Sequence, residues 1–338
     1  MTTTYDPHHP LYLDEADTRA ELERVYDLCH GCRLCFKFCP SFPTLFDYID
    51  QHDGSLIRKV VEKTAGISSV RLLPKFARTR FSSWFKQRPK VRVGKKQGSV
   101  TVFPTCLVEY QEPAIGKALV KVYEHNGIEC SLTDAGCCGA PFLHSGDMAA
   151  FTKVAVDNVA MLAAEVRKGN DIVVPQPTCS YVLKKDYLDY VGGPDAQLVS
   201  EHTYDAAEYL MKVHKTEGSS LDTQFPGEVP ETITYHTPCH LRAQNIGLKS
   251  RDLMKLTGAK IKLVQQCSGI DGMWGLRAEN AELSIPIGKK LGEMVQAADG
   301  DVVAGDCHLA NTAITEQTGE SPLHPLQVVA KAYGLDTE

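Results

Sequence analysis

Cys29, Cys32, Cys35 and Cys39, followed by Pro40, fall in the segment CHGCRLCFKFCP. This C-x2-C-x2-C-x3-C-P spacing lets one short, turn-rich segment bring several thiolates to a single small volume, as a 4Fe–4S cubane requires. A zinc knuckle or a disulfide pair is the alternative reading of crowded cysteines. Zinc sites usually join two separated C-x2-C halves, which fits four cysteines in eleven residues less well. The fourth cysteine of such a run often serves a second cluster. Cys39 therefore either closes the same cluster, waits for a partner or stays free.

Three further cysteine landmarks occur twice, in the same order. SVTVFPTCLVEYQ parallels TITYHTPCHLRAQ and pairs Cys106 with Cys239; DAGCCGAP parallels QQCSGIDG and pairs Cys137 with Cys267. DIVVPQPTCS parallels DVVAGDCHL and pairs Cys179 with Cys307. The offsets are 133, 130 and 128 residues, nearly constant. Cys130 has no counterpart and reads as a core residue, since a buried free cysteine behaves as a small hydrophobe.

The elements that position these cysteines read as alternating strands and helices. VTVF, ITY, IKLV, DIVV and DVVA are short apolar runs of strand type. Between the second and third landmarks each copy has a helical stripe: Phe151, Ala155, Val159, Leu162 and Val166 in one, Leu283, Ile287, Leu291, Met294 and Ala298 in the other. Pro286 inside the second stripe is expected to kink that helix or delay its start. The alternation implies parallel α/β units, in which sites form at the carboxyl ends of strands. The expected organisation is a small helical ferredoxin-type 4Fe–4S domain (1–50), a basic connecting segment (51–97) and two α/β repeats (98–225 and 226–338).

The chain has 338 residues, 43% hydrophobic and 23% charged, the composition of a soluble globular protein. Its start lacks the basic and apolar regions of a secretory signal, and no run is apolar enough to span a bilayer. A cytoplasmic chain is expected, with contact at the inner face of the membrane as an open addition; there, twelve cysteines favour metal over disulfides. The net charge of −6 argues against general nucleic-acid binding. Residues 71–96 carry ten Lys and Arg and no acid, interleaved with Phe76, Phe81, Trp84 and Phe85. This stretch reads as an arm wrapping the core, as a docking face for an acidic redox partner or as a helix on anionic lipid near quinone. No dinucleotide fingerprint, P-loop or G-x-S-x-G motif is present, so hydride transfer from an organic substrate has no visible equipment.

Cys137-Cys138-Gly139, with a cysteine 31 residues before it and another 41 after Cys138, resembles the cysteine-rich CCG domain. Two such domains behind a ferredoxin-type region resemble the heterodisulfide-reductase-related iron–sulfur proteins. That family includes the iron–sulfur subunit of anaerobic glycerol-3-phosphate dehydrogenase and a rubrerythrin-associated branch, which the second half resembles. The resemblance implies cubane ligands at Cys29, Cys32, Cys35 and Cys39, one site on Cys106, Cys137, Cys138 and Cys179, and another on Cys239, Cys267 and Cys307. It implies electron relay between a flavoprotein or rubrerythrin-like partner and quinone or another acceptor, or disulfide reduction at the CCG site. A zinc-binding CCG module is the third reading.

The chain departs from the family's pattern in three places. Residues 51–97 hold no cysteine, so a second ferredoxin-type motif is missing. The closing C-x-x-C pairs are incomplete after Cys179 and Cys307, and the second CCG is Cys267-Ser268-Gly269. With three cysteines in the second repeat, His240, His308 or Ser268 is left as a fourth donor.

Overall fold

The structure, a computed structural model, describes residues 56–89, 96–134 and 136–336. The four-cysteine run and its expected helical domain lie outside the described residues. Two wholly parallel sheets organise the rest. The first has the order β2-β1-β3-β4, from Gly98–Val102 (β1), Ile128–Leu132 (β2), Asp171–Val174 (β3) and Thr203–Asp205 (β4). The second has the order β6-β5-β7, from Thr232–His236 (β5), Lys260–Val264 (β6) and Val302–Gly305 (β7). A single parallel bridge, Ala304 to Leu323, stands where β4 stands in the first sheet. The duplication seen in the sequence is therefore a duplication of topology. β1 and β5 are each flanked by the next strand in sequence on one side and by a later one on the other, which makes a topological switch point at their carboxyl ends.

The apolar runs of β1, β3, β5 and β7 form strands because both faces of the parallel sheets are covered there, whereas the edge strand β6 is largely exposed. Val100 and Val102 of β1 and Ile233 and Tyr235 of β5 are fully buried in one core shared by the two repeats. Helices α4 (Pro113–His125) and α13 (Pro325–Ala332), one from each repeat, pack on each other across it. So do α8 (Ala206–Lys215) and α10 (Lys249–Lys255). Both α8 and α13 start with a capping box, Asp205 with Glu208 and His324 with Gln327.

The first helical stripe holds. Phe151, Ala155, Val159, Leu162 and Val166 all lie on the buried face of α6 (Met148–Arg167). The second does not. In α11 (Ala281–Ala298) Leu283 is 64% and Met294 43% exposed, while Ser284, Gly288, Leu291, Gly292 and Val295 face inward. Small residues set that face because α11 lies close to its neighbours. A methyl at Gly292 would meet Gln317 Cβ at 2.7 Å, and one at Gly288 would meet the Ser268 carbonyl oxygen at 3.2 Å. Pro286 sits inside α11 without delaying its start.

The basic segment wraps the core. Phe81 of α2 (Phe81–Gln87) is fully buried, and Trp84 and Phe85 pack against the shared core, so these rings do not form a lipid-facing side. Upstream, α1 (Leu56–Ala65) and the strand-like run after it cross to the second repeat. Ile67 and Leu73 join Ile270, Leu276 and Ala313 in one cluster. Among the described residues no helix is long and apolar enough to cross a membrane.

Two carboxyls are buried where the sheets meet. Asp306 accepts hydrogen bonds from Tyr235 Oη at 2.5 Å and from Ser250 Oγ. Asp205 accepts from the Ala207 amide at 3.2 Å and is pushed up to about 8 by burial, then by the charge of Asp306; Lys184 opposes this and Glu208 adds to it. A carboxyl raised on folding stabilises below its unfolded value, and that contribution is lost as pH rises through the folded value. Stability should thus decline between pH 4 and pH 8. Asp205→Asn keeps the cap and removes the Asp205 share of the decline, leaving that of Asp306, which burial pushes up to about 6. Its advantage in urea unfolding should grow from nothing near pH 4 to about 1–3 kcal/mol above pH 8. Parallel pH profiles for the two proteins would refute this account.

Candidate metal centre

All three cysteine landmarks of each repeat stand at the carboxyl ends of three adjacent strands. Cys106 follows β1 at the start of α3 (Thr105–Tyr110), Cys137 and Cys138 follow β2 just before α5 (Ala140–Ser145), and Cys179 follows β3 in α7 (Pro177–Tyr181). Cys239 begins α9 (Cys239–Ala243) after β5, Cys267 follows β6, and Cys307 is the residue before α12 (His308–Thr318) after β7. The turn before Cys106 is strained. Thr105, a β-branched residue, has φ +63° and is fully buried, a conformation that persists only where the surroundings impose it.

In the first repeat the thiols form a chain. Cys106 and Cys138 both hydrogen-bond to Cys137, and Cys138 Sγ lies 3.2 Å from Cys179 Sγ. Hydrogen bonds from Cys106 and Cys138, joined by the Gly139 amide, hold Cys137 well below the usual thiol range. Cys138, the donor beside it, is pushed well above that range. Asn158 donates to the Cys137 carbonyl at 2.8 Å and Tyr187 to the Cys138 carbonyl at 2.9 Å, which fixes the pair from beneath.

The glycine of each motif has a definite task. Gly139 has φ +88° and Gly269 φ +73°, both in the left-handed region that glycine enters without cost. In both repeats this turn aims the glycine amide back at the preceding cysteine: Gly139 N is 3.4 Å from Cys137 Sγ, and Gly269 N is 3.4 Å from Cys267 Sγ. The N–H···S geometry is conserved between the repeats even though Ser268 replaces the second cysteine.

The two sets face one cavity of about 350 Å³. Cys106, Cys138, Cys179, Cys239, Cys267 and Cys307 all line it. Contacts across the repeats close its floor. Thr178 Oγ1 lies 3.1 Å from His240 Nδ1, the His308 amide donates to Gln176 Oε1 at 3.1 Å, and His324 Nε2 donates to the Pro175 carbonyl at 3.0 Å. Burial pushes the Cys307 thiol up to about 11 and holds His308 near 4, His324 near 3 and His240 below its usual value. A cation bound there would have to displace the Cys307 proton, as thiolate coordination always requires.

The remaining lining was not legible as a site. Phe76 and Pro74 come from the connecting segment, Tyr110 from α3, and Met273, Trp274 and Arg277 from the loop after Cys267. His236 also lines the cavity, three residues before Cys239; its only sequence signal is that it occupies the place of Phe103 when the repeats are overlaid. Cys130 lies in β2, half-buried against the core and away from the cavity, as the sequence suggests. The donor chemistry fits a thiophilic group, since neutral imidazoles and thiols converge with few carboxylates. Among the described residues no three His, Cys, Asp or Glu side chains are grouped as for a lone metal ion.

Comparison with known proteins agrees with this arrangement. The profile of the cysteine-rich domain CCG matches residues 100–184 and 233–314. A subunit of the anaerobic glycerol-3-phosphate dehydrogenase of Escherichia coli K12 is 28% identical over 280 residues, covering 82% of this chain and 69% of that subunit. An uncharacterised iron–sulfur protein of Methanococcus maripaludis is 26% identical over 321 residues, covering 87% of this chain and 58% of its own. A subunit of the CoM/CoB fumarate reductase of Methanothermobacter marburgensis is 28% identical over 257 residues, covering 72% of this chain and 48% of its own. The chain is therefore a protein of two cysteine-rich CCG domains, homologous to a subunit of anaerobic glycerol-3-phosphate dehydrogenase and to its iron–sulfur relatives.

Proposed function

We propose that this chain is an iron–sulfur electron-transfer protein that relays electrons between a redox partner and an acceptor. The observation that supports it is the convergence of six cysteines from both repeats on one cavity. An iron–sulfur cluster held there accepts and releases single electrons. Cys106, Cys137, Cys138 and Cys179 would hold the first-repeat group and Cys239, Cys267 and Cys307 the second. Cys29, Cys32, Cys35 and Cys39 would hold a 4Fe–4S cubane. The glycine amides at Cys137 and Cys267 would set potential through hydrogen bonds to sulfur, and the apolar rim would exclude water. The partner is a flavoprotein dehydrogenase or a rubrerythrin-like protein, and the acceptor quinone or another carrier. In the basic segment Phe81, Trp84 and Phe85 are occupied by the core and Arg71 and Arg88 by ion pairs, and the exposed Lys75, Arg78 and Lys86 would serve an acidic partner.

Protein prepared without oxygen should be brown, with iron and labile sulfide each about four per cubane. Cys137→Ser should remove the first-repeat share of that iron and leave the rest. Colourless protein without sulfide would refute the proposal.

A second reading, thiol or disulfide reduction at the same cavity, is favoured by its size. Its volume falls within the range of small-molecule sites, and Phe76, Tyr110, Met273 and Trp274 offer an organic chain an apolar wall. In this reading Cys138→Ser abolishes disulfide turnover with an artificial electron donor while the N-terminal cluster persists.

A further inference from the structure

The second repeat has lost a thiol. Overlaying the landmarks puts Ser268 in the place of Cys138, so this half offers Cys239, Cys267 and Cys307 where the first offers four cysteines. The same overlay puts His236 in the place of Phe103. One donor disappears and another, absent from the first repeat, appears on the neighbouring strand end, hydrogen-bonded to Gln266, two residues before Ser268.

The state of the His236 ring is determined by its surroundings. The residue is 1% exposed at the end of β5. Its Nε2 lies 2.9 Å from the Gln266 carbonyl oxygen, which can only accept, so Nε2 carries the hydrogen. The opposite nitrogen, Nδ1, is buried and has no hydrogen-bond partner. A buried polar atom without a partner is costly and calls for an occupant. Metal-bound histidines show this pattern: one ring nitrogen donates to a backbone carbonyl and the other bears a free lone pair. Gln266 also immediately precedes Cys267, so the same bond ties the imidazole to the loop that presents a neighbouring thiol.

The three donors named from sequence are less suited. His240 Nδ1 is engaged by Thr178 Oγ1 at 3.1 Å, and its ring stacks with His144 and leans on Tyr181. His308 has an unpartnered Nε2 but is not among the residues lining the cavity. Ser268 lines the cavity, but an unactivated hydroxyl is a poor ligand for iron beside thiolates.

We propose that His236, through Nδ1, is the non-cysteine ligand of the second-repeat iron–sulfur site, completing a set with Cys239, Cys267 and Cys307. This rests on the electron-transfer reading above. It makes the two halves of the cavity unlike. The first repeat holds its group with thiolates alone, and the second with one imidazole. Replacing thiolate by imidazole raises the potential of a cluster, so the second-repeat site is the higher of the two and electrons settle there.

The test uses the full-length protein, prepared without oxygen, reduced with dithionite and examined by pulsed EPR. Labelling with 15N-histidine should convert a 14N hyperfine coupling on a cluster signal into the 15N pattern, a readout independent of any variant. His236→Ala should lose that coupling together with the second-repeat share of the iron. His236→Cys should restore the iron without the coupling, at a lower midpoint potential. His240→Ala and His308→Ala should keep the coupling. Iron-loaded protein with no histidine coupling would overturn the assignment and leave electron transfer standing. So would a coupling that survives His236→Ala or vanishes in His308→Ala. Protein without iron would overturn both.

Discussion

Gly269→Ala is expected to lower folding stability by about 2–5 kcal/mol, the left-handed backbone cost added to an overpacking cost. The glycine has φ +73°, and a Cβ there would stand 2.5 Å from the Ser284 carbonyl oxygen. That oxygen belongs to α11, whose face is already pressed against the Cys267 loop, so it cannot withdraw without moving the helix. Ser284 is further held by its hydroxyl, which donates to the Gly275 carbonyl at 3.0 Å and accepts from Arg71 at 3.1 Å. Gly139→Ala meets a softer obstacle. Its Cβ would lie 2.9 Å from Phe151 Cδ2, the edge of a buried ring that can tilt. The loss there should fall toward the lower end of the same range. Urea unfolding of both variants checks the order; equal midpoints for wild type and Gly269→Ala would remove the structural explanation of the motif's glycine. Both variants should also lose iron beyond what instability accounts for, because the amide that faces the cysteine sulfur is carried by the same turn.

The sequence made the strand ends legible and left the walls of the cavity obscure, for identifiable reasons. VTVF, DIVV, ITY and DVVA lie in strands whose apolar residues are buried, so continuous apolar runs announce them; IKLV, in the edge strand β6, reads the same way although Leu263 is 40% exposed. Ile128–Leu132 carries no such signal, because Glu129, Cys130 and Ser131 interrupt its apolar run. The α11 stripe misled because Ser284, Gly288 and Gly292 do the packing, and a search for large apolar residues passes over them. Pro74 and Phe76 reach the cavity only because residues 66–76 cross to the second repeat, a long-range choice that local periodicity does not encode. His236 carries no signal until the two copies are overlaid. The four-cysteine run, the most legible feature of the chain, lies outside the described residues.

The crossing of residues 66–76 carries one buried ion pair beside its apolar contacts, and leaving that pair half-broken gives the other large expected effect. Arg71 is 1% exposed; its Nη2 lies 3.3 Å from Glu316 Oε2 on α12, and its Nη1 donates to Ser284 Oγ on α11. The second carboxylate oxygen of Glu316 accepts from the Leu72 amide at 2.6 Å. Burial alone pulls the Arg71 guanidinium below its usual range, and Glu316 offsets this. Glu316→Ala would leave a buried cation facing only a hydroxyl, a change that typically costs about 3–5 kcal/mol. Replacing both partners, Arg71→Met with Glu316→Ala, should recover most of that loss, because the penalty comes from the unpaired charge. The two variants should differ in function as well. The single variant frees the strap that carries Pro74 and Phe76, so the cavity opens and its iron should be lost faster to a chelator. The double variant keeps the strap through Ile67 and Leu73 and should hold iron nearly as well as wild type. If Glu316→Ala unfolds within about 0.5 kcal/mol of wild type, as an ordinary surface substitution does, the pair does not anchor the strap, and the cavity wall is held by the apolar cluster alone.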